Sequence, residues 1–501
     1  MTGVRHRLWI GVDLGTSGVR GLAADDTGTV RASAARPLTS TRRGGRHEQD
    51  PRTWVEAAVT VLGEIAGHVD PTAVAGIAVD ATSGTVVLAD GPGPEAAFLG
   101  PGVMYDDDRG GAYAERAQEA GAATWDRLGH RIGTTWALPT VLAMLADHPT
   151  GHVRHQVDVV TGALVGAAVA TDAANALKTG YDAVEGRWPG EVLVGLGLDP
   201  DRLPPVVAPG TPLGGLGPRA AVESGLCPGT PVVAGTTDGC AAQFGAGAVA
   251  PGAWNAVLGT TLVLKGVAAE LLRDPSGAVY CHRGPQAGWW LPGGASSTGA
   301  RVLGSLLDPG RFDALTASLQ EDPPGELPVV YPLAGRGERF PFTVPDAEGF
   351  WLDGDAPRPL AELVPACGER EAFAALAEGV AFVERLCFEH VAALGADVSG
   401  PRTITGGATR NPWWNQRRAD VLGVALRRPR HDDPALGAAL LARAGVEAAG
   451  GEPDLVAAAA AMVHTAEEIA PRPDSVDPDT ALERRYARFR AALVDRGWWA
   501  P

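Results

Sequence analysis

Lysine is almost missing from this chain. Its 501 residues include two, Lys178 and Lys265. Neither stands in a Gly-x-x-x-x-Gly-Lys-[Ser/Thr] pattern, which excludes a P-loop nucleotide site. Basic charge is short overall. The 42 Lys and Arg against 59 Asp and Glu leave a formal net charge of −17, which argues against nucleic acid or an anionic membrane as partner. An anionic nucleotide stays allowed, because it needs only a local pocket of donors. Cysteine is sparse as well. Cys227, Cys240, Cys281, Cys367 and Cys387 are scattered, odd in number and never paired as Cys-x-x-Cys. That is the pattern of free thiols in a reducing compartment. Long apolar runs are absent too: "VVTGALVGAAVA" is too short to span a bilayer, and Asp13 interrupts the N-terminal apolar run, so no signal peptide is expected. A cytoplasmic protein is the expectation. No Gly-x-Ser-x-Gly elbow for a serine hydrolase occurs.

What is present is globular in composition, with 45% hydrophobic and 20% charged residues. The length exceeds what one core usually supports. "LWIGVDLGTSGVRGLAADDTGTVRASAARPL" reads as three strands broken at Gly-Thr-Ser-Gly and at Asp26-Thr27-Gly28. Asp50 then caps a helix that begins at Pro51 and carries Trp54, Val55, Ala58, Val59, Leu62 and Ile65 at helical spacing. "VAGIAVDATSGTVVLAD" reads as strand, break at Thr82-Ser83-Gly84, and strand. "GTPVVAGTTDGCAAQFGAGA" reads as strand, polar break and helix. "APGAWNAVLGTTLVLKGVAA" repeats the first hairpin. "ITGGATRNPWWNQRRADVLGVAL" reads strand, glycine turn, helix, strand. Asp433-Pro434 opens an Ala-rich helix ending at Gly445, and "ERRYARFRAALVDRGWW" closes the chain as an amphipathic helix. Alternating strands and helices imply an α/β fold. Two domains are expected, 1–249 and 250–501, divided at Ala250-Pro251-Gly252.

The first and second hairpins share a turn. Leu14-Gly15-Thr16-Ser17 returns as Leu258-Gly259-Thr260-Thr261. A tight turn of Gly, Thr and Ser exposes amides and hydroxyls suited to phosphate oxygens, and glycine lets the backbone come close. One such turn is as well explained by a plain β-hairpin. Two matching turns, each opening a domain, point to two jaws on one polyphosphate. Asp13, just before the first turn, is placed to hold Mg²⁺ through water; its alternative is a strand-end residue satisfying local amides. Asp238 follows the apolar "PVVAG" and precedes a helix. It can serve as a general base or as a helix N-cap, and the two roles can coexist.

These segments resemble the FGGY family of carbohydrate kinases, within the actin-like ATPase and hexokinase group. "DLGTSGVR" and "VLGTT" resemble the family's two phosphate motifs. "AGTTDGCAAQFGAG" resembles the segment with the catalytic aspartate. "LPGGASSTG" and "ITGGATRNPWWNQRRADVLG" resemble its nucleotide-binding turns. "HEQDPRTW", "GRGERFPF" and "DPALGAALLA" are similar as well, and the order holds from about residue 8 to 445. The resemblance implies two ribonuclease-H-like domains with an interdomain cleft, sugar mostly on the first and ATP mostly on the second. It implies that Asp238 is the general base and that Asp13 and Asp238 face Mg²⁺. Gly15, Thr16, Ser17 and Arg20 match the first phosphate turn, and Gly259, Thr260 and Thr261 the second. Gly294, Gly407 and Asn411 match positions around the adenosine and its phosphates.

For the sugar, the candidates are Thr82, Ser83, Gly84, Tyr105, Asp107, Asp238 and Gly239. Tyr105 can pack on the sugar and Asp107 can accept its hydroxyls. Thr82-Ser83-Gly84 stands where typical bacterial xylulokinases carry Gly-Gln-Met-His-Gly. The Thr-Ser-Gly-Thr and Ala-Leu-Lys-x-Gly-Tyr-Asp features look most like the D-ribulose kinase and xylulokinase-like branch. Thr140 departs from the pattern, because many relatives carry lysine there. The implied activity is ATP-dependent phosphorylation of a ketopentose, D-ribulose or D-xylulose, at its terminal hydroxyl. A kinase of another polyol (L-ribulose, erythritol, glycerol) and a non-catalytic sugar- and ATP-binding regulator stay open. The expected partners are a small sugar and ATP, with no nucleic acid and no membrane. Oligomeric state is not legible, and a homodimer is one expectation.

Overall fold

The computed structural model describes residues 7–475 and 480–499. Two mixed β-sheets carry the architecture. The first contains β1 (Leu8–Leu14), β2 (Gly18–Asp25), β3 (Val30–Pro37), β4 (Val74–Ala81), β5 (Pro212–Gly215) and β6 (Pro231–Val233), in the order β5-β6-β4-β1-β2-β3. The second contains β7 (Trp254–Leu258), β8 (Leu262–Gly266), β9 (Tyr280–Arg283), β10 (Trp290–Ala295), β11 (Arg402–Thr405), β12 (Leu426–Pro429) and β13 (Thr465–Ile469), in the order β9-β10-β8-β7-β11-β12-β13.

Both sheets repeat one plan. A hairpin (β1-β2, β7-β8) is flanked on one side by a further antiparallel strand (β3, β10). On its other side come two parallel strands (β4-β6, β11-β12). Antiparallel β5 and β13 then close the equivalent edges. The fold is α/β with two ribonuclease-H-like halves, as the sequence implied.

Helix α1 (Pro51–Ala66) starts as its sequence requires. The Asp50 carboxylate accepts from the Arg52 amide at 3.0 Å, and Pro51 occupies the first helical position. Trp54, Ala58, Leu62 and Ile65 are buried on the first sheet, joined by Ala57 and Val61, while Val55 and Val59 are only half-buried. Helix α2 (Asp238–Gly245) follows β6. Helix α3 (Glu369–Ala393) is the buried centre of the second half. Two buried bidentate ion pairs hold α3 in place: Arg418 on Glu384 at 2.7 and 2.9 Å, and Arg485 on Glu378 at 2.6 and 2.7 Å.

Helix α4 (Pro412–Leu422) leads to β12, and helix α5 (Pro434–Glu447) follows. The Ala-rich helix thus runs two residues past Gly445. By sequence α5 belongs to the second half, yet it packs on the first sheet. A Cβ on Gly11 of β1 would fall 1.8 Å from the Ala435 carbonyl oxygen, and one on Gly437 would fall 1.9 Å from the Ala241 carbonyl oxygen. Only small residues let α5 lie backbone to backbone on β1 and α2, and this contact ties the halves together beside the cleft. The tail forms a helix over Ala481–Val494, ending short of the final tryptophans.

The run 74–90 holds a further finding. Its two strands belong to different sheets. β4 is in the first sheet, and Val86–Ala89 joins a small separate sheet with Thr41–Arg43, Arg46–Gln49, Gly102–Val103 and His152–His155. The switch occurs at Thr82-Ser83-Gly84, with Gly84 at φ +97°.

Candidate active site

Strand register builds an acidic centre. Asp13 pairs with Arg20 on β2 and lies directly beside Asp80 on β4. Like charges on facing positions destabilise a sheet, so this pair is held by the rest of the fold. Asp13 is 6% exposed and Asp80 fully buried. Burial pushes the Asp13 carboxyl up to about 6, with the charges of Asp238 and Asp433 adding to it, while a hydrogen bond to Asp80 and the charge of Arg20 oppose. Burial and the Asp13 charge push Asp80 well above the usual carboxylate range. Among the described residues no group donates a hydrogen bond to either Asp80 oxygen, and two buried carboxylates side by side favour protonation of one of them. Asp433 enters this centre as the cap of α5, where it accepts from the Ala435 amide at 3.0 Å.

Asp238 stands beside these carboxylates. The Ala81 amide donates to the Thr236 carbonyl at 3.2 Å, which pins the segment after β6 to the end of β4. Thr237 takes the cap position of α2, and Asp238 is the first helical residue. The N-cap alternative for Asp238 therefore gives way to Thr237. Asp238 accepts one bond, from the Gly239 amide at 2.7 Å. Burial raises its pKa, and that amide with the charges of Lys178 and Lys265 pulls it back. A half-buried carboxylate with a spare oxygen and a raised proton affinity is suited to accept a hydroxyl proton.

The sugar candidates divide. Tyr105 is 38% exposed, its phenol reaches the Thr16 side chain, and it feels the Asp238 charge. Ser83 Oγ is buried without a partner. Gly84 and Gly239 each lie under a lysine side chain, Lys178 and Lys265 respectively. Thr82 and Asp107 are different. The Thr82 hydroxyl is spent on Gln156 at 2.7 Å and Thr85 at 2.6 Å. Asp107 accepts four bonds, from the amides of His47 and Arg109 and twice from the Arg109 guanidinium. A carboxylate has about four acceptor sites, so Asp107 has none left for a sugar. The polar atoms of both residues are thus consumed by bonds within the protein. Thr140 is buried and bonds back to the Trp136 carbonyl within its own helix.

The two candidate phosphate turns have the same length but close one residue apart. Each is a three-residue loop, 15–17 and 259–261, between antiparallel strands. The Gly15 amide closes the first onto the Gly18 carbonyl, and the Gly259 amide closes the second onto the Thr261 carbonyl, each at 3.0 Å. Among the described residues the amides of Thr16, Ser17, Thr260 and Thr261 have no acceptor. Arg20 is exposed beside the first turn.

From the second turn, a hollow lined by Thr260, Ala300 and Arg301 continues past Ala300 into a cavity of about 510 Å³. Phe312, Thr316, Gln320, Gly407, Arg410 and Asn411 help to line it. Asn411 caps α4 through the Trp414 amide at 3.0 Å and donates to Thr316 Oγ1 at 2.7 Å, so one amide hydrogen is free for a ligand. Gly294 does not face this track. It sits in β10 under Phe340, where a Cβ would come within 2.7 Å of the ring. The glycine that touches the second turn is Gly299, whose Cβ would fall 2.4 Å from Thr261 Cα. Buried Glu338 holds this loop, accepting from Ser296 Oγ and Thr298 Oγ1 at 3.0 Å and from the Ser297 amide.

Asp80, the two lysines, Glu338 and Gly299 were not singled out from sequence. Two signals were available. Val79-Asp80-Ala81-Thr82-Ser83-Gly84 echoes Val12-Asp13-Leu14-Gly15-Thr16-Ser17-Gly18, and a chain with two lysines places both in the cleft. All five cysteines are free. No described helix is long and apolar enough to cross a membrane.

Comparison with known proteins agrees with this geometry. Residues 8–245 match the N-terminal domain model of the FGGY family of carbohydrate kinases, and 254–446 match its C-terminal domain model. A xylulose kinase of Streptomyces rubiginosus is 31% identical over 455 residues, 88% of either chain. A xylulose kinase of Escherichia coli is 28% identical, over 87% of this chain and 90% of that one. The crystal structure of a xylulose kinase from Rhodospirillum rubrum superposes with a TM-score of 0.82 at 25% identity, covering 98% of this chain and 99% of that one. With both domain models matched, the chain belongs to the FGGY family of carbohydrate kinases and is an ATP-dependent sugar kinase.

Proposed function

We propose that the chain phosphorylates a ketopentose at its terminal hydroxyl, D-ribulose ahead of D-xylulose, to give the 5-phosphate and ADP. The observation that carries this reading is the setting of Asp238. It opens α2 beside the acidic centre, with Ser83, Tyr105 and two lysines around it. Kinship with xylulose kinases supports a ketopentose, and Thr82-Ser83-Gly84 in place of the usual xylulokinase residues supports ribulose.

In the transfer, the sugar hydroxyl oxygen bonds to the γ-phosphorus. The bond from that phosphorus to the β–γ bridging oxygen breaks, and its electron pair leaves on ADP. The hydroxyl proton goes to Asp238, placed as general base. The free amides of Thr16 and Ser17 on one side and of Thr260 and Thr261 on the other are placed to cradle the phosphates. The cavity at Gly407 and Asn411 has the size for adenosine.

The residues fit a magnesium ion. The acidic centre supplies only hard oxygen donors, and part of its charge is unneutralised. No three acidic, His or Cys residues among the described ones are placed to grip a metal directly, which suits an ion held partly through water by Asp13 and Asp238. Bound there, Mg²⁺ would neutralise phosphate charge.

The test is an ATP-consumption screen of the purified protein over pentuloses, pentitols and glycerol. Turnover is expected with ketopentoses, D-ribulose first. Comparable kcat/KM for glycerol with none for either ketopentose sinks the reading.

A further inference from the structure

Both lysines of the chain converge on the sugar side of Asp238, one from each half. Lys178 is the middle residue of the short helical turn Leu177–Thr179, and Lys265 lies on β8. Lys178 Cδ lies 3.0 Å from where a Cβ on Gly84 would stand, with Tyr105 Cβ at 3.8 Å from the same point. Lys265 Cε lies 2.9 Å from where a Cβ on Gly239 would stand. Lysine stems thus cross both candidate sugar glycines, and Gly84 is also held at φ +97°, a conformation that favours glycine.

The two ammonium groups are not equivalent. Lys265 Nζ is engaged with His282 Nδ1 at 3.2 Å and Cys240 Sγ at 3.6 Å. Lys178 Nζ donates once, to the Ser83 carbonyl at 3.1 Å, and sits 6.0 Å from the centre of the Tyr280 ring. Among the described residues neither lysine forms an ion pair, although the chain carries 59 Asp and Glu. An ammonium has three donors and no acceptor. Lys178 therefore brings two unspent N–H groups to a corner where the Ser83 hydroxyl is also unpartnered.

We propose that Lys178 is a specificity-determining residue that selects an open-chain ketose, its two spare N–H groups and the Ser83 hydroxyl receiving the carbonyl oxygen of the sugar. This rests on the ketopentose reading above and deepens it. A carbonyl oxygen only accepts, so it matches a corner made of donors. An alcohol oxygen can also accept but brings its own hydrogen, which must find an acceptor in a corner that is mostly donors; the Ser83 carbonyl there already accepts from Lys178 and has one lone pair left. A donor that bears charge strengthens the contact with the ketose.

The experiment compares kcat/KM for D-ribulose with that for ribitol, its reduced form. Wild type is expected to favour the ketose. Lys178→Met should lose about 10- to 100-fold on the ketose while its ribitol value stays within about threefold. Lys178→Arg should recover part of the loss. Ser83→Ala should shift the ratio in the same direction by less, and it serves as the second variant if Lys178→Met folds poorly. Lys265→Met, whose ammonium is already engaged, should lower both substrates by a common factor. An equal fall for both substrates in Lys178→Met, or an unchanged ratio, overturns the inference and leaves the ketopentose reading standing. Wild type using both substrates equally does the same. Absence of turnover with any ketopentose removes the reading and the inference together.

Discussion

The two hairpins differ in one respect that matters. Counted back from the turn, Asp13 of the first hairpin corresponds to Val257 of the second. Across the neighbouring parallel strand, Asp13 faces Asp80 where Val257 faces Thr405. On the antiparallel side, Asp13 faces Arg20 where Val257 faces Val263. One backbone plan thus serves twice, with charge placed behind only one of its turns. Both turns leave two amides without an acceptor, those of Thr16 and Ser17 and of Thr260 and Thr261, among the described residues. Only the first half adds carboxylates at the strand ends, and Asp238 belongs to that group. The second half adds a cavity beside its turn instead. In the proposed function, this division places proton and cation chemistry in the first half and nucleotide grip in the second.

The largest effect should come from disarming the charged side. Asp238→Asn keeps the shape of the side chain but removes the proton acceptor. General-base assistance is worth about 10²–10⁴-fold, so kcat should fall by that factor or more with the fold and both ligand affinities kept. Steady-state kinetics with calorimetric binding of sugar and ATP would show it. Near-normal turnover would return the residue to a structural role, as would be expected if Asp238 served only the helix start.

A second test asks whether the turns are two jaws on one ligand. Thr260→Trp should raise KM for ATP by about tenfold or more, the scale of losing charge-assisted phosphate contacts. Thr16→Trp should act in the same direction, with sugar affinity little changed in either. ATP kinetics unchanged in both variants would remove the shared-phosphate reading.

The smallest effect concerns stability. Asp13 titrates near 6 in the folded chain, against an ordinary value of 3.8. The folded state therefore holds this proton more tightly than the unfolded one. Stability that Asp13 contributes when protonated is lost as pH rises from about 4 through 6. Two pKa units correspond to about 3 kcal/mol at most. Asp13→Asn should thus melt higher than wild type at pH 8, with the gap closing by pH 4. Melting curves at both values check it, and a variant less stable at pH 8 would contradict the charge strain assigned to the acidic centre.

Much was legible in the sequence because local chemistry decides it. Alternating apolar residues set the strands, Asp50-Pro51 and Asp433-Pro434 set helix starts, and the repeated Leu-Gly-Thr-[Ser/Thr] letters marked two three-residue turns at equivalent places of the two sheets. Asp13 and Asp238 stood out because each is a carboxylate beside a glycine-bearing break. Tertiary structure decided which polar groups remain unspent. Thr82 and Asp107 look like sugar contacts in a string of letters. In the fold, Gln156 and Thr85 take the one, and His47 and Arg109 take the other. Gly294 looks like a nucleotide glycine but makes room for Phe340, while Gly299 meets the turn. Asp80 and the two lysines took on a place at the site when register set Asp80 against Asp13 and the fold brought the charges of Lys178 and Lys265 to Asp238. Sequence carries propensity and pattern over a few residues. Which donors and acceptors find partners depends on contacts such as Thr82 with Gln156 and Asp107 with His47, 74 and 60 positions apart, and those exist only once the chain has closed on itself.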